Sequence, residues 1–386
     1  MFSVKSSEIH GVNQYVTLHR ESLAHRDDFW RAQGEALVWR TPFSEIFSED
    51  MEKGRFTWFG GGILNPLDSL LGVDPAAKAL EVYEGEEQVG EWTFGELFHR
   101  AMEFHLFFAA NGVKPQDRVA LYLPNSLDYV AALFALTAFS ATAVPLLVRY
   151  PGSFIARVAA DCGARLLVLD DSSDDSEYKQ RCDVISQLVE QGIVYTGQVE
   201  KKSANPGYFS KEMVIPFPSE APLFLYYHST GAEKPKGYAF CAGGFPVHTR
   251  YSYRFLINEG TRGPGTLVFK GELTSVPGMA YGIWGALLNG DALVVNTQEG
   301  TMTMALIDAL AARETSTWFM VTPSGFGSMK ASLEHTDILM KNRYEKVLLF
   351  GDVVSPRMAR YLGQNVAASS DRVLTLYMQR QTGVAV

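Results

Sequence analysis

The sequence predicts an α/β protein of two adjacent α/β units with mostly parallel sheets. Three observations lead there. From about residue 93 onward, short apolar runs alternate with amphipathic stretches of helical period, the pattern of strands joined by crossover helices. The polar stretch 198–220, with three prolines and little periodicity, interrupts this alternation and reads as a surface connection between two units. The chain has 386 residues, 47% apolar and 20% charged, enough to bury a large core at an ordinary globular composition.

Residues 1–75 stand outside the alternation. They are rich in aromatics (Phe29, Trp30, Trp39, Phe43, Phe47, Phe56, Trp58 and Phe59) and are expected to wrap the first unit. That unit, 76–220, carries a helix opened by the capping-box pair Thr93 and Glu96 and running to Asn111 before Gly112. The strand 118–123 follows, then a helix capped by Ser126, the strand 142–147, a helix capped by Ser153, and the strand 165–169. A helix from Tyr178 to Gln191, with Gly192 as its C-cap, leads to a strand at 193–196. The second unit, 221–386, is expected to open with the strand 223–227. Further strands read at 266–269, 292–295, 317–321, 346–350 and 373–377, and Ser355-Pro356 fits an N-cap followed by proline at the first helical position. No repeat of solenoid period is present.

Charge and cysteine usage narrow the function classes. Lys plus Arg is 34 against 43 for Asp plus Glu, a net charge of −9, which argues against general affinity for nucleic acid or anionic membrane. Cys162, Cys182 and Cys241 are odd in number and far apart, as expected of a reduced, cytoplasmic protein. The N-terminus lacks the apolar core of a secretory signal. The uncharged stretch Tyr129–Val148 is long enough to span a bilayer, but it divides into a helix and a strand and is read as a buried segment.

The sharpest local signal is the stretch from Leu223 to Gly237, LFLYYHSTGAEKPKG. A buried strand runs into a loop with hydroxyls, glycines and lysines, which suits phosphate because glycine lets backbone N–H groups approach and lysine neutralises charge. It is not a Walker loop. Alone it is matched by the reading of a lysine-rich surface turn.

The surrounding order gives the loop its meaning. Phe29-Trp30, the Trp39–Pro42 segment, WFGGGILNPLD (58–68), ALEVYEG (79–85) and the long run 90–135 resemble, in order, the AMP-forming acetyl-CoA synthetases. Tyr227–Gly237 is similar to that family's YTSGTTGKPKG loop, Thr322-Pro323 to its Thr-Ala-Pro-Thr stretch, Gly351-Asp352 to its adenine-contacting Gly-Glu-Pro, and Tyr377–Gly383 to its WWQTETG motif. The resemblance covers essentially the whole chain. It implies the fold of the large N-terminal domain of adenylate-forming enzymes, and a reaction that joins a carboxylic acid to AMP from ATP and then to coenzyme A. It also implies ATP or AMP and Mg²⁺ as cofactors, with CoA as a further ligand. The nucleotide-binding residues carried over are Ser229, Thr230, Gly231, Lys236, Gly351, Asp352, Tyr377, Gln379 and Thr382. Val276 and Met378 are placed in the acyl pocket, and Gln381 at the metal.

The pattern departs from the family at several positions. In an ungapped match Thr230, Gly231, Ala232 and Glu233 replace Gly-Thr-Thr-Gly, and Glu233 sets a negative charge where phosphate would approach. A gapped match aligns Ser229-Thr230-Gly231 with Thr-Thr-Gly and leaves Ala232-Glu233 inserted. Both stay open. Gln381 stands in place of a Mg²⁺-linked glutamate and brings no charge, so metal affinity is expected to fall. Arg380 reads as a solvated charge, with a phosphate contact as the alternative. Met378 replaces a tryptophan that closes the pocket of acetate-specific members, which implies a roomier pocket; space-filling core roles for Met378 and Val276 are the alternative. His228 reads as a residue of a surface turn, not a general base.

No segment of the chain matches the family's lysine-bearing C-terminal domain, so the sequence is expected to be a fragment or split gene product, with the lysine on a separate partner chain, or to lack the self-contained reaction. Two functions follow: an acyl-CoA synthetase dependent on such a partner, or a non-catalytic protein of the same fold that binds a nucleotide, an acyl-CoA or another subunit. A Rossmann dehydrogenase is disfavoured, because no GxGxxG follows an early strand.

Overall fold

The computed structural model describes residues 12–189, 192–199, 211–228, 234–258, 263–297, 301–331 and 340–379. The N-terminal part consists of α1 (Val12–Ala24), α2 (Arg26–Gly34), β1 (Trp39–Thr41), the antiparallel pair β2 (Glu45–Asp50) and β3 (Arg55–Gly60), β4 (Ile63–Leu64) and α3 (Pro66–Leu70). Its aromatics knit it down. Phe29 and Trp30 meet Tyr251 and His248 edge-on, and Trp39, Phe43 and Phe59 pack on one another. Asn65 accepts from Leu67 N at 3.0 Å as the cap of α3, while its amide donates to the carbonyls of Thr137 and Ile215. A buried asparagine satisfied on three sides fixes this strap on the chain that follows.

The chain continues through β5 (Lys78–Glu84), β6 (Glu87–Thr93), α4 (Phe94–Ala110), β7 (Arg118–Tyr122), α5 (Leu127–Ala138), β8 (Thr142–Pro145), α6 (Gly152–Cys162), β9 (Leu166–Leu169), α7 (Ser176–Leu188), β10 (Ile193–Tyr195), β11 (Phe217–Pro218), β12 (Pro222–His228), β13 (Lys236–Cys241) and α8 (Gly244–Leu256). Then come β14 (Thr266–Lys270), a π-helical segment Gly278–Gly285 leading into α9 (Ala286–Leu288), β15 (Ala292–Asn296), α10 (Met304–Ala311), β16 (Thr317–Val321), α11 (Pro323–Ala331), β17 (Lys346–Phe350), α12 (Pro356–Asn365) and β18 (Val373–Leu376). The fold is α/β with large, mainly parallel sheets. A six-stranded sheet runs β10-β9-β7-β8-β12-β13 and a seven-stranded sheet runs β18-β17-β16-β14-β15-β5-β6. Strands β14 to β17 are buried along their whole length, as parallel strands covered on both faces must be.

Several caps form as the sequence predicts. Thr93 and Glu96 exchange both bonds of the capping box, Ser126 accepts from Tyr129 N, and Ser355 accepts from Met358 N ahead of Pro356. The uncharged stretch 129–148 is α5 and β8, buried nearly throughout. Among the described residues no helix is long and apolar enough to cross a membrane.

Other expectations are corrected. Pro151, not Ser153, precedes α6. Helix α7 is capped by Asp175, which accepts from Glu177 N and Tyr178 N, and ends at Val189 rather than at Gly192. The connection 198–220 is not wholly a surface loop: Val214 and Phe217 are each 1% exposed and Phe217–Pro218 pairs with β4, because the short apolar run VIPF has a core to join. Strand β12 was expected to open the second unit but lies in the six-stranded sheet beside β8, held by β13 returning antiparallel to it. Conversely β5 and β6, expected within 76–220, form the far edge of the seven-stranded sheet. The two sheets therefore exchange strands across the boundary read at 220/221.

Asn125, after β7, ties the sheets together. It is 6% exposed; its amide donates at 2.9 Å to the carbonyls of Gly271 and Asn296, and its oxygen accepts from Leu273 N at 2.8 Å.

Candidate functional site

Parallel strands that end at one edge bring their following loops together there. In this chain the loops after β8, β14, β16, β17 and β18 converge on a cavity of about 360 Å³. Arg149 reaches it from the six-stranded sheet, and Tyr226 from β12. Gly271, Glu272, Ser275, Val276 and Pro277 enter after β14, Thr322 and Ser324 at the start of α11, Phe350, Gly351 and Asp352 after β17, and Met378 and Gln379 after β18.

One wall is apolar. Tyr226, Val276 and Phe350 are buried, and Met378 packs against the main core beside them. The opposite rim is polar. The Ser324 hydroxyl donates to Asp352 Oδ2 at 2.9 Å, and the Gln379 amide donates to the Tyr377 hydroxyl at 2.7 Å. Gly351 has φ +91°, a left-handed conformation that glycine alone adopts without strain, and it turns the chain so that Asp352 faces Ser324.

The charge pattern is uneven. Glu272 is 7% exposed; it receives the Arg149 guanidinium at 2.9 Å and Val148 N at 3.2 Å. This pair bridges the loop after β8 to the loop after β14. The described lining thus holds two carboxylates, Glu272 and Asp352, against one guanidinium. Among the described residues no group of three or more His, Cys, Asp and Glu side chains could hold a metal ion.

The sequence-derived site residues divide into four sets. Val276, Gly351, Asp352, Met378 and Gln379 meet in the cavity. Tyr377 sits at its edge through Gln379 and is 63% exposed. Lys236 opens β13 opposite His228, exposed and outside the cavity lining. Ser229, Thr230, Gly231, Glu233, Arg380, Gln381 and Thr382 lie outside the described residues. Within the KPKG run, Gly237 has a packing reason: a Cβ there would stand 2.8 Å from the Tyr227 ring. His228 ends a strand instead of occupying a turn.

Arg149, Tyr226, Glu272 and Ser324 line the cavity without a sequence-level signal that singled them out. The available signal was positional for three of them, since Arg149, Glu272 and Ser324 lie just beyond the ends of strands of the converging set, whereas Tyr226 lies within β12. The π-helical segment that follows Val276 was also missed; all eight of its residues are buried, and such segments occur often beside functional sites.

Comparison with known proteins shows the family. The family model described as AMP-binding enzyme matches residues 73–386, and that described as acetyl-coenzyme A synthetase N-terminus matches residues 15–67. Acetyl-coenzyme A synthetase of Dictyostelium discoideum is 24% identical over 99% of this chain and 60% of its own length. The acetyl-coenzyme A synthetase of Ralstonia nicotianae is 25% identical over 98% of this chain and 62% of that protein, and that of Rhodobacter capsulatus 24% over 72% and 46%. The chain thus spans about 60% of the length of such relatives. With a match across more than half of its residues and the strand ends gathered as described, the chain belongs to the AMP-binding enzyme family, with an N-terminal segment of the acetyl-coenzyme A synthetase kind.

Proposed function

We propose that the cavity at the strand ends is the nucleotide and acyl site of an acyl-CoA synthetase-like, adenylate-forming protein, acting on a carboxylic acid, ATP and coenzyme A in a reducing, cytoplasmic setting. The observation that carries this is the meeting of Val276, Gly351, Asp352, Met378 and Gln379, from three separate loops, in one cavity. An apolar wall with a few convergent polar groups suits an aromatic base and a short acyl chain. Asp352 offers acceptor oxygens to an adenine amino group, and Val276 and Met378 would border an acyl chain longer than acetate. Lys236 is assigned to phosphate, at the far end of the loop that β12 and β13 enclose. The described residues do not by themselves form a Mg²⁺ site, and no step is assigned to the ion.

Isothermal titration with ATP at fixed Mg²⁺ tests the reading. Lys236→Ala removes a charge-assisted contact of about 1.5–3 kcal/mol and is expected to weaken binding by about tenfold or more. Glu233→Gly removes a like charge worth about 1 kcal/mol when solvated and is expected to strengthen it. No adenine nucleotide binding by the parent chain at millimolar concentration, or no response to either substitution, sinks the proposal.

A second reading, non-catalytic binding of a nucleotide, an acyl-CoA or another subunit, is favoured by the acidic balance of the described lining. Gln381 brings no charge to the metal, and loss of one preorganised charge-stabilising group costs about 100- to 1000-fold in rate. Acetate-dependent pyrophosphate exchange by this chain is therefore expected to be slow or absent while binding persists. Robust exchange decides for the enzyme; if exchange appears only on adding a lysine-bearing domain as a separate chain, the partner-dependent form of the enzyme is correct.

A further inference from the structure

A second concavity shares no lining residue with the first. Helices α11 and α12 leave between them a groove of about 370 Å³. Phe326 and Tyr361 form its floor, their rings 6.1 Å apart. Lys330 on α11 stands over Tyr361 with its ammonium 3.7 Å from the ring centroid, a cation–π contact that orders an otherwise mobile side chain. Arg357 and Arg360 on α12 face the same groove. They are three residues apart, so their side chains leave neighbouring points of one helix face.

The electrostatics of this groove run against the rest of the protein. The chain carries −9 overall, yet the groove holds three cations, and among its described lining residues none is acidic. Neither Arg357 nor Arg360 forms an ion pair among the described residues. Arg357 occupies the first turn of α12, which has no acidic residue. A cation there is disfavoured by the helix dipole, whereas an anion is favoured. A bound anion reconciles both, since it would take the helix end and the guanidinium together.

From this we infer that the α11–α12 groove is a binding site for a diphosphate group, separate from the nucleotide and acyl cavity. Two guanidiniums one turn apart can each engage one phosphoryl group, and Lys330 from the facing helix adds a third positive charge between them. The diphosphate is either inorganic pyrophosphate or the anhydride of a nucleoside diphosphate, and the Tyr361 edge of the groove gives a base somewhere to lie.

The experiment is calorimetric titration of the full chain with pyrophosphate and, separately, with ADP. It is run without divalent cation at constant ionic strength, with orthophosphate as the weaker reference. Arg357→Ala/Arg360→Ala is compared with the parent and with Lys236→Ala. Both arginines are exposed, so the double variant is expected to keep the parent's far-ultraviolet circular dichroism and thermal midpoint. The proposal expects pyrophosphate affinity to fall by about tenfold or more in the double variant and to stay unchanged in Lys236→Ala. A larger loss of affinity for ADP than for pyrophosphate in the double variant identifies a nucleotide as the groove's ligand; the reverse identifies the free diphosphate. Equal behaviour of parent and double variant, including no binding by either, overturns the proposal. So does weakening in Lys236→Ala alone, which would assign the binding to the nucleotide cavity and leave that reading standing.

Discussion

At the scale of single residues, the strongest energetic commitment lies away from the cavity. Glu81 in β5 has no exposed surface and receives Arg313 at 2.7 and 2.6 Å through two guanidinium N–H groups, with Lys78 at 3.1 Å. Burial pushes its carboxyl upward, but Arg313 and Lys78 more than reverse this, and it titrates below its ordinary range. Its stabilisation is therefore complete above the unfolded carboxylate range and is lost as pH falls through the lower folded value. Arg313→Met leaves a buried carboxylate with only Lys78, and is expected to cost about 3 kcal/mol or more. The double variant Glu81→Leu/Arg313→Met should recover much of that, because an apolar pair needs no compensation. Urea unfolding of the two variants measures both effects; a loss below about 1 kcal/mol in the single variant contradicts the account. At the cavity, Gly351→Ala is expected to reduce nucleotide affinity without removing any side-chain contact, since alanine at φ +91° is strained and shifts Asp352. Titration of that variant with ATP checks it.

At the scale of elements, the joint between the sheets depends on the loop after β7. Asn125 satisfies two carbonyls and one N–H of the loops after β14 and β15, and Arg149 with Glu272 makes a second bridge beside it. Asn125→Ala leaves buried backbone groups unpaired at about 1–3 kcal/mol each. It is expected to lower the thermal midpoint and to loosen the cavity, with protection from hydrogen exchange falling at Gly271–Leu273; unchanged exchange there would contradict that role. How legible the structure was follows the range of the interactions involved. Caps are local, so Thr93, Ser126 and Ser355 could be read from neighbours three residues away. Strand positions follow from apolar runs and were also readable. Sheet membership was not: β12 joins β8 through Phe224 and Ala143, and β5 joins β15 through Leu80 and Leu293, pairings so distant in sequence that periodicity holds no information on them. The same limit applied at the site. Gly351, Asp352, Val276 and Met378 were found because they resemble family motifs, whereas Arg149 and Glu272 have meaning only as a pair between two loops. The aromatic WFGGGILNPLD signature is a structural strap: Asn65 caps α3 and holds two distant carbonyls, and Gly62 makes room for Trp39.

At the scale of the whole molecule, three ionisable groups, two of them buried and one half-buried, set how stability varies with pH between 5 and 6. His105 is 8% exposed and stacks on Phe139 with ring centroids 4.0 Å apart; burial lowers its pKa to about 4. His248, edge-on to Trp30, is lowered by burial to about 4 as well. Each binds a proton in the unfolded chain near pH 6 but not in the folded one, so each makes stability rise with pH until the unfolded value of 6.5 is passed. Asp291 acts in the opposite sense. It has no exposed surface, and burial raises its pKa to about 6 despite donors from Gly265 N and the Asn258 amide. The folded state then holds a proton that the unfolded state has released, and stability falls as pH rises toward 6. Two groups against one leave a net excess of about one proton in the unfolded chain, so stability should rise by about 1.4 kcal/mol from pH 5 to pH 6. Asp291→Asn removes the opposing group and should roughly double that slope, whereas His105→Phe should bring it close to zero. Urea unfolding at the two pH values, on parent and both variants, reads the slopes directly. A parent whose stability falls over this interval, or an Asp291→Asn chain with an unaltered slope, would show that these three groups do not govern the molecule's response.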